Sequence, residues 1–340
     1  MLLFNQLIQS SIGYSSDYLY LIPNNPPAIR KYHNIEFLQT KSLSSLEIEE
    51  IIKSILKVEE YNTYKTQGFF NTTLTFNNSY QLYIHISYNN QDVKLIVNII
   101  KNEPIVKSEF EKELDIMINK LPKGLLLFTG DTYNSNNYTL PLILQEINNN
   151  QKKHTLIFSD NNVPIPKANK SLINTYNLSQ ADPMFIKNQA ADIILLSNFN
   201  NINLIQTAII CINMGLPVIA FIDAISCSCA LESIAILFPH KKSILSTLST
   251  HLTAIVTQIF INRAPYSDSL YLYDITECNA DIKQHIREDK LLEIKNSGII
   301  KKINQLIDDH QIHYHDIQEI LKKLSDTDQL SSEFNNNDFF

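Results

Sequence analysis

The segment that most constrains this chain is Leu121–Asn150, LPKGLLLFTGDTYNSNNYTLPLILQEINNN. Gly124–Thr129 is a short uninterrupted apolar run, the pattern of a strand buried on both faces. From Asn137 to Ile147, the residues Leu140, Ile143, Leu144 and Ile147 recur at helical spacing. Between the two runs stands Gly130-Asp-Thr-Tyr-Asn-Ser-Asn-Asn137. Strand, turn and helix in this order make the scaffold of a phosphate-binding loop, whose pattern is G-x-x-x-x-G-K-[ST]. The opening Gly130 fits. The second glycine has become Ser135, the lysine Asn136 and the hydroxyl residue Asn137. The scaffold is legible and its cation is gone.

Composition narrows the function classes. A length of 340 residues with 44 % hydrophobic content supplies two domains with cores of their own. The net charge of -7 and a pI near 5.7 speak against nucleic acid as a partner, which calls for a basic face. Six glycines are few, since average usage near 7 % gives about four times as many. A phosphate cradle uses glycine so that backbone N–H groups approach oxygens with no Cβ in the way. Arginine is confined to Arg30, Arg263 and Arg287. The four cysteines, Cys211, Cys227, Cys229 and Cys278, form no C-x-x-C pair, and reduced thiols in a cytoplasmic protein are expected. No charged-then-apolar leader follows Met1, and the tract Leu204–Ile225 is too interrupted to span a bilayer.

Taken in order, the first hundred residues read as a small α+β domain. Met1–Ser11 has helical spacing, and Ser16–Leu21 and Ala28–Tyr32 read as strands around a proline turn. Leu46–Val58 is an amphipathic helix, with Ser44 and Glu47 at capping-box spacing. Gly68–Phe76, Tyr80–Ser87 and Val93–Ile100 read as strands of a half-buried antiparallel sheet. Residues 101–106 form the expected linker. Over 107–324 helices alternate with fully apolar strands, Gly124–Thr129, Thr155–Phe158, Ile193–Leu196 and Pro217–Ile222, which predicts an α/β domain around a parallel sheet. From Ile244 the chain is expected to be mostly helical, over Ile244–Ile261, Ala280–Ile294, Ile299–Asp308 and Tyr314–Leu324. Residues 325–340 are polar, Asn-rich and expected to be disordered.

Five segments in this order resemble the type IV pilus retraction ATPases, the PilT-like members of the type II/IV secretion ATPase family. Ser16-Asp-Tyr-Leu-Tyr20 and Pro26-Pro-Ala-Ile-Arg30 resemble the family's S-D-L-H-L and P-P-x-I-R. Pro122–Gly130 resembles the lead-in to its Walker A loop, and Ala191–Leu196 its Walker B strand. Asp281-Ile-Lys-Gln-His-Ile-Arg-Glu-Asp-Lys290 is similar to the A-I-R-N-L-I-R-E-D-K helix of the retraction branch. The resemblance covers almost the whole chain. It implies a PAS-like N-terminal domain, a RecA-like motor domain with C-terminal helices, and a homohexameric cytoplasmic ring docked on the inner-membrane platform of a pilus. ATP with magnesium is the ligand it implies, held between the domains.

Carried across residue by residue, the family's chemistry is missing. The Walker A lysine and hydroxyl fall on Asn136 and Asn137, with Thr132 alone keeping a loop position. The acidic box E-D-P-I-E falls on Ser159–Val163, where only Asp160 survives. The Walker B G-E pair falls on Ser197-Asn198, and the histidine after the fourth strand on Asp223. The N-domain arginines fall on Gln81, Tyr83, Gln91 and Asn98. Asparagine offers a hydrogen bond to a phosphate but no charge. Without a carboxylate at 198 nothing positions the attacking water. Arginine fingers alone contribute on the order of 10³–10⁵ in rate. The expectation is a pseudo-ATPase subunit or regulator of pilus retraction, alone or with an active PilT-like paralogue. A divergent motor that still hydrolyses ATP is the alternative, and an eroded product without a role a third.

Smaller readings stand beside this one. Gly130, Ser135, Asn136 and Asn137 can bind a nucleotide weakly through backbone donors at a helix N-terminus, or form an inert turn. Asp223 is a drifted surface residue or a new acid–base group. His310, His313 and His315 are read as a solvated helix end rather than metal ligands, and Cys227 and Cys229 as idle thiols. Ile282, Ile286, Arg287 and Glu288 keep the retraction-type helix pattern, for packing or for contact with the pilus machinery.

Overall fold

The computed structural model describes the chain apart from residues 1, 32–33, 90–91, 102–111, 132–134, 161–162, 164, 263–268, 295–296, 315–316, 319, 323 and 325–340. It divides into two compact units, Met1–Pro104 and Ile105–Phe340. Most of the expected linker and the whole of the expected tail lie outside the described residues.

The first unit is an antiparallel sheet with helices on one face. Its strands are β1 (Tyr18–Leu21), β2 (Ala28–Lys31), β3 (Asn34–Phe37), β4 (Phe69–Phe76), β5 (Tyr80–Asn89) and β6 (Asp92–Lys101), in the order β3-β2-β1-β6-β5-β4. Alternation decides the faces. Leu19, Leu21, Ile29, Leu82, Ile84, Ile86, Leu95 and Val97 are buried in one cluster with Phe4, Leu7 and Ile8 of α1 (Leu2–Gly13) and Ile48, Ile51 and Ile52 of α2 (Ser45–Ile55). The expected capping box forms: Ser44 Oγ accepts from the Glu47 N–H, and the Ser44 N–H donates to the Glu47 carboxylate at 2.9 Å. That carboxyl is held down at about 2 by bonds from Lys41 and Ser44. Two elements depart from the sequence reading. The helix ends at Ile55 and a second, α3 (Val58–Gln67), follows, closed by Gly68 in the left-handed conformation. The edge strand β3 has no buried position and so carries no alternation to read.

The second unit is a seven-stranded sheet in the order β13-β12-β7-β11-β10-β8-β9. Its strands are β7 (Leu125–Gly130), β8 (His154–Phe158), β9 (Leu172–Tyr176), β10 (Ile193–Leu196), β11 (Val218–Asp223), β12 (Leu252–Asn262) and β13 (Ser269–Glu277). All pairs are parallel except β12 with β13. The apolar runs are buried on both sides as their composition requires: Leu125 and Leu127 enter one core cluster, Leu126 and Phe128 the other. Helices α4 (Lys112–Asn119), α5 (Leu140–Asn150), α6 (Pro183–Asn188), α7 (Ile202–Asn213), α8 (Cys227–Ala235), α9 (Lys241–His251), α10 (Ala280–Arg287) and α11 (Ser297–Asp308) accompany the sheet. Ile299, Ile303 and Leu306 of α11 form a further buried cluster with Ile259 and Ile261 of β12 and Leu272 of β13.

The helical expectation for Ile244–Ile261 is corrected. Helix α9 stops at His251, and Leu252-Thr-Ala-Ile-Val-Thr-Gln-Ile-Phe-Ile-Asn262 is strand β12, paired with β7 on one side and β13 on the other. The run is rich in β-branched residues, whose stiff χ1 suits a pleated sheet, and two flanking strands complete its hydrogen bonds. Strand β13, a segment without an assignment in the sequence reading, is the antiparallel partner of β12 at the sheet edge. The helix expected over Ala280–Ile294 ends at Arg287, because Asp289 adopts φ +60 and turns the chain into a short 3-10 turn at Leu291–Glu293.

Candidate functional site

In sheets of this kind ligands bind beyond the carboxyl ends of the parallel strands. Here β7 ends at Gly130, level with Asp223 at the end of β11. Leu196 of β10 is level with Phe158 of β8 and Ala220 of β11, which brings Ser197-Asn198 and Ser159-Asp160 to the same end of the sheet. The expected loop positions are thus gathered at one edge. Asp131, Asp160 and Asp223 are exposed there and Asn198 is half-buried. No lysine or arginine stands among these described strand-end residues. Asp160 caps structure: its Oδ1 accepts from the Leu178 N–H at 3.1 Å. The Ser197 N–H donates to the Phe158 carbonyl at 3.0 Å, continuing the pairing of β10 with β8. Thr132 lies outside the described residues, and for Asn136 and Asn137 only the backbone is described.

That backbone departs from the regular helix expected from Asn137. Ser135–Thr139 forms one wide π-type turn, and the α-helix begins at Leu140 with Pro141 in its first turn. A proline lacks the N–H that an interior position would have to donate, so the regular helix starts where that loss costs nothing. The wide turn is the short irregular form that fits between strand and proline.

A buried polar cluster holds this junction. The Ser135 hydroxyl donates to the Asp131 carbonyl at 2.7 Å, and the Ser135 N–H donates to the same oxygen at 2.9 Å. The Gln258 side-chain amide of β12 donates to Ser135 Oγ. Thr139 Oγ1 donates to Gln258 Oε1 at 2.6 Å, which leaves the Tyr273 hydroxyl as donor in its 2.9 Å bond to Thr139. All four side chains are almost fully buried. Gly130 has φ +144, and a Cβ on it would press on the Gln258 side chain and stand 2.8 Å from the Gln258 carbonyl oxygen. Gln258 escapes the sequence reading because β12 reads as helix, and Thr139 and Tyr273 because their bonds join residues more than a hundred positions apart.

Beside the loop, the Tyr138 and Tyr271 rings stack with centroids 3.6 Å apart, 4° from parallel. Cys227 sits at the N-terminus of α8, its Sγ 3.3 Å from Thr257 Oγ1, while Cys229 is half-buried. Burial pushes the Cys278 thiol up to about 12 and the Cys211 thiol to about 11.

The retraction-type pattern is largely accounted for by packing. Ile286 is fully buried and Ile282 packs on the same core. Asn279 caps α10 by accepting from the Ile282 N–H at 2.9 Å. Glu288 accepts from Gln284 at 2.8 Å and pairs with Lys290 at 2.7 Å, which lowers its carboxyl. Lys241 lies 2.9 Å from Asp289 and 2.8 Å from Glu232. Arg287 is exposed on the same helix.

Of the positions assigned to phosphate-reaching arginines in the first unit, Gln81 and Tyr83 lie on β5 and Asn98 on β6, on the face opposite the buried Leu82 and Ile84. Gln81 accepts from Thr75 Oγ1 at 3.2 Å. Tyr83 and Asn98 are cross-strand partners, and burial raises the Tyr83 phenol to about 12. Gln91 lies outside the described residues. Among the described residues no group of three or more His, Cys, Asp or Glu is placed to hold a metal ion; His315 lies outside them, and His310 follows α11 at φ +55. No described helix is long and apolar enough to cross a membrane.

No protein-family model matches the chain. Among curated proteins it is 21 % identical over 279 residues to the twitching motility protein of Neisseria gonorrhoeae, covering 79 % of this chain and 75 % of that one. It is also 21 % identical over 301 residues to the type IV pilus retraction ATPase PilT of Pseudomonas aeruginosa, covering 85 % and 86 %. The crystal structure of the pilus retraction motor PilT with bound ADP superposes with a TM-score of 0.70 at 18 % identity, over 96 % of both chains. In sequence over most of its length and in fold over nearly all of it, the chain is similar to the PilT-like retraction proteins of the type II/IV secretion ATPase family.

Proposed function

We propose that this chain is a PilT-like protein of twitching motility that keeps the architecture of a pilus retraction ATPase without its catalytic groups. It serves as a pseudo-ATPase subunit or regulator at the cytoplasmic face of the pilus base, in a ring with itself or with an active relative. In this reading the first unit is the PAS-like domain and the second the RecA-like one. The observation that carries the reading is the strand-end edge itself: Asp131, Asp160, Asn198 and Asp223 stand where a triphosphate calls for cations and a catalytic carboxylate. Hydrogen bonds from the Ser135–Thr139 turn offer an anion backbone dipoles only, so nucleotide binds weakly at most.

The test is genetic complementation. Deleting the gene changes twitching, and a copy carrying Asn136→Ala and Asn198→Ala restores it as well as the unaltered gene. Failure of that copy to complement, with protein levels equal, would show that these positions do chemistry after all. A deletion that leaves both piliation and twitching unchanged would remove the assigned role.

A further inference from the structure

We propose that the start of the loop helix is held from within: Gln258 and the serine at the lost glycine position keep the Ser135–Thr139 turn in shape without any bound anion. This rests on the reading of the chain as a pseudo-ATPase and says how its nucleotide loop is stabilised.

A phosphate-binding turn is ordinarily a row of backbone donors facing an anion, and the glycine before its lysine lets the backbone approach. Ser135 reverses both features. Its hydroxyl donates back to the Asp131 carbonyl and accepts the Gln258 amide. A glycine at 135 has no oxygen for either bond. Gln258 is engaged at its other end as well, since Oε1 accepts from Thr139, and Thr139 is tied to Tyr273 of β13. The chain of contacts therefore joins the turn to β12 and to the edge strand β13 beside it. Buried polar groups left without partners are costly, whereas a connected network is rigid. Gly130 belongs to the same device: the Gln258 side chain occupies the space its Cβ would need. The turn keeps one shape with or without nucleotide, so the subunit does not report nucleotide state through this loop.

Hydrogen exchange by mass spectrometry on the full chain tests this, with and without millimolar ATP and magnesium. The unaltered protein is expected to protect the amides of 135–139 without ligand, and ATP leaves that protection unchanged. Gln258→Met keeps length and removes the amide; it should speed exchange at 135–139 by about tenfold for the loss of one to two buried bonds, with 154–158 and 218–223 unaffected. Should that variant fail to fold, Ser135→Ala removes the hydroxyl alone and is expected to act in the same direction. A turn that is unprotected without ligand and becomes protected on adding ATP overturns the proposal, as does unchanged exchange at 135–139 in the folded variant. ATP turnover with a turn that never changes its protection would instead overturn the pseudo-ATPase reading and leave the internally held turn standing.

Discussion

Gly130→Ala separates two reasons for keeping a glycine at the head of this loop. If the glycine survives to let a phosphate approach, alanine is tolerated in the ligand-free protein apart from its backbone cost. If it survives because Gln258 fills the space, alanine is expensive at once. The structure gives both terms. At φ +144 an L-residue pays roughly 1–2 kcal/mol for the backbone conformation. The new Cβ falls against the Gln258 side chain and its carbonyl, inside a connected cluster, and overpacking of this kind costs about 1–3 kcal/mol. Gly215 supplies the control in the same unit, with φ +89 and no atom within 4 Å of the position a Cβ would take. Gly215→Ala carries the backbone term alone. In urea unfolding followed by circular dichroism, Gly130→Ala is expected to lose about 1–3 kcal/mol more than Gly215→Ala. Adding Gln258→Ala should recover the part of that excess due to the side chain, while the contact with the Gln258 carbonyl remains. Equal losses for the two glycines, or no recovery in the double variant, would refute the packing argument.

Further outcomes follow from other parts of the fold. Gly298→Ala drives a Cβ into the Asp274 carboxylate, which accepts the Gly298 and Ile299 N–H groups at the start of α11; a loss of about 1–3 kcal/mol is expected, with faster hydrogen exchange over 297–308. Burial holds the Asp274 carboxyl above its ordinary 3.8, so its contribution to stability is fully present below that value and is lost as pH rises through the raised folded one; Asp274→Asn should flatten that part of a stability-against-pH curve. Ile286→Ala removes a fully buried side chain and should cost about 2–5 kcal/mol in urea unfolding, whereas Arg287→Ala on the exposed side should stay within about 0.5 kcal/mol. With iodoacetamide at pH 8, Cys229 should react first, and Cys211 and Cys278 only after denaturation, because burial raises both thiols and removes access.

Legibility tracked how strongly local pattern agreed with tertiary context. The strands β7, β8, β10 and β11 were readable because burial on both faces leaves apolar runs with no polar interruption. The Ser44–Glu47 cap was readable because its donors and acceptors are three residues apart. Strand β12 was misread because it directly follows α9 and continues its apolar spacing; only pairing with β7 and β13, far away in sequence, decides it. The candidate site divided in the same way. What the loop had lost could be counted in the sequence at Ser135, Asn136 and Asn137. What took over could not, since the Gln258–Ser135 bond joins residues 123 positions apart. The retained helix over Ile282–Lys290 looked equally suited to packing and to contact. Ile286 is buried and Asp289 pairs with Lys241, whereas Arg287 and the Glu288–Lys290 pair face solvent.

The claim that everything else depends on is chemical silence at a well-formed fold, and phosphate release from purified full-length protein under saturating ATP and magnesium measures it directly. Release indistinguishable from buffer, with circular dichroism showing the protein folded, is the predicted result. Sustained multiple-turnover release that disappears on Asn136→Ala would contradict it.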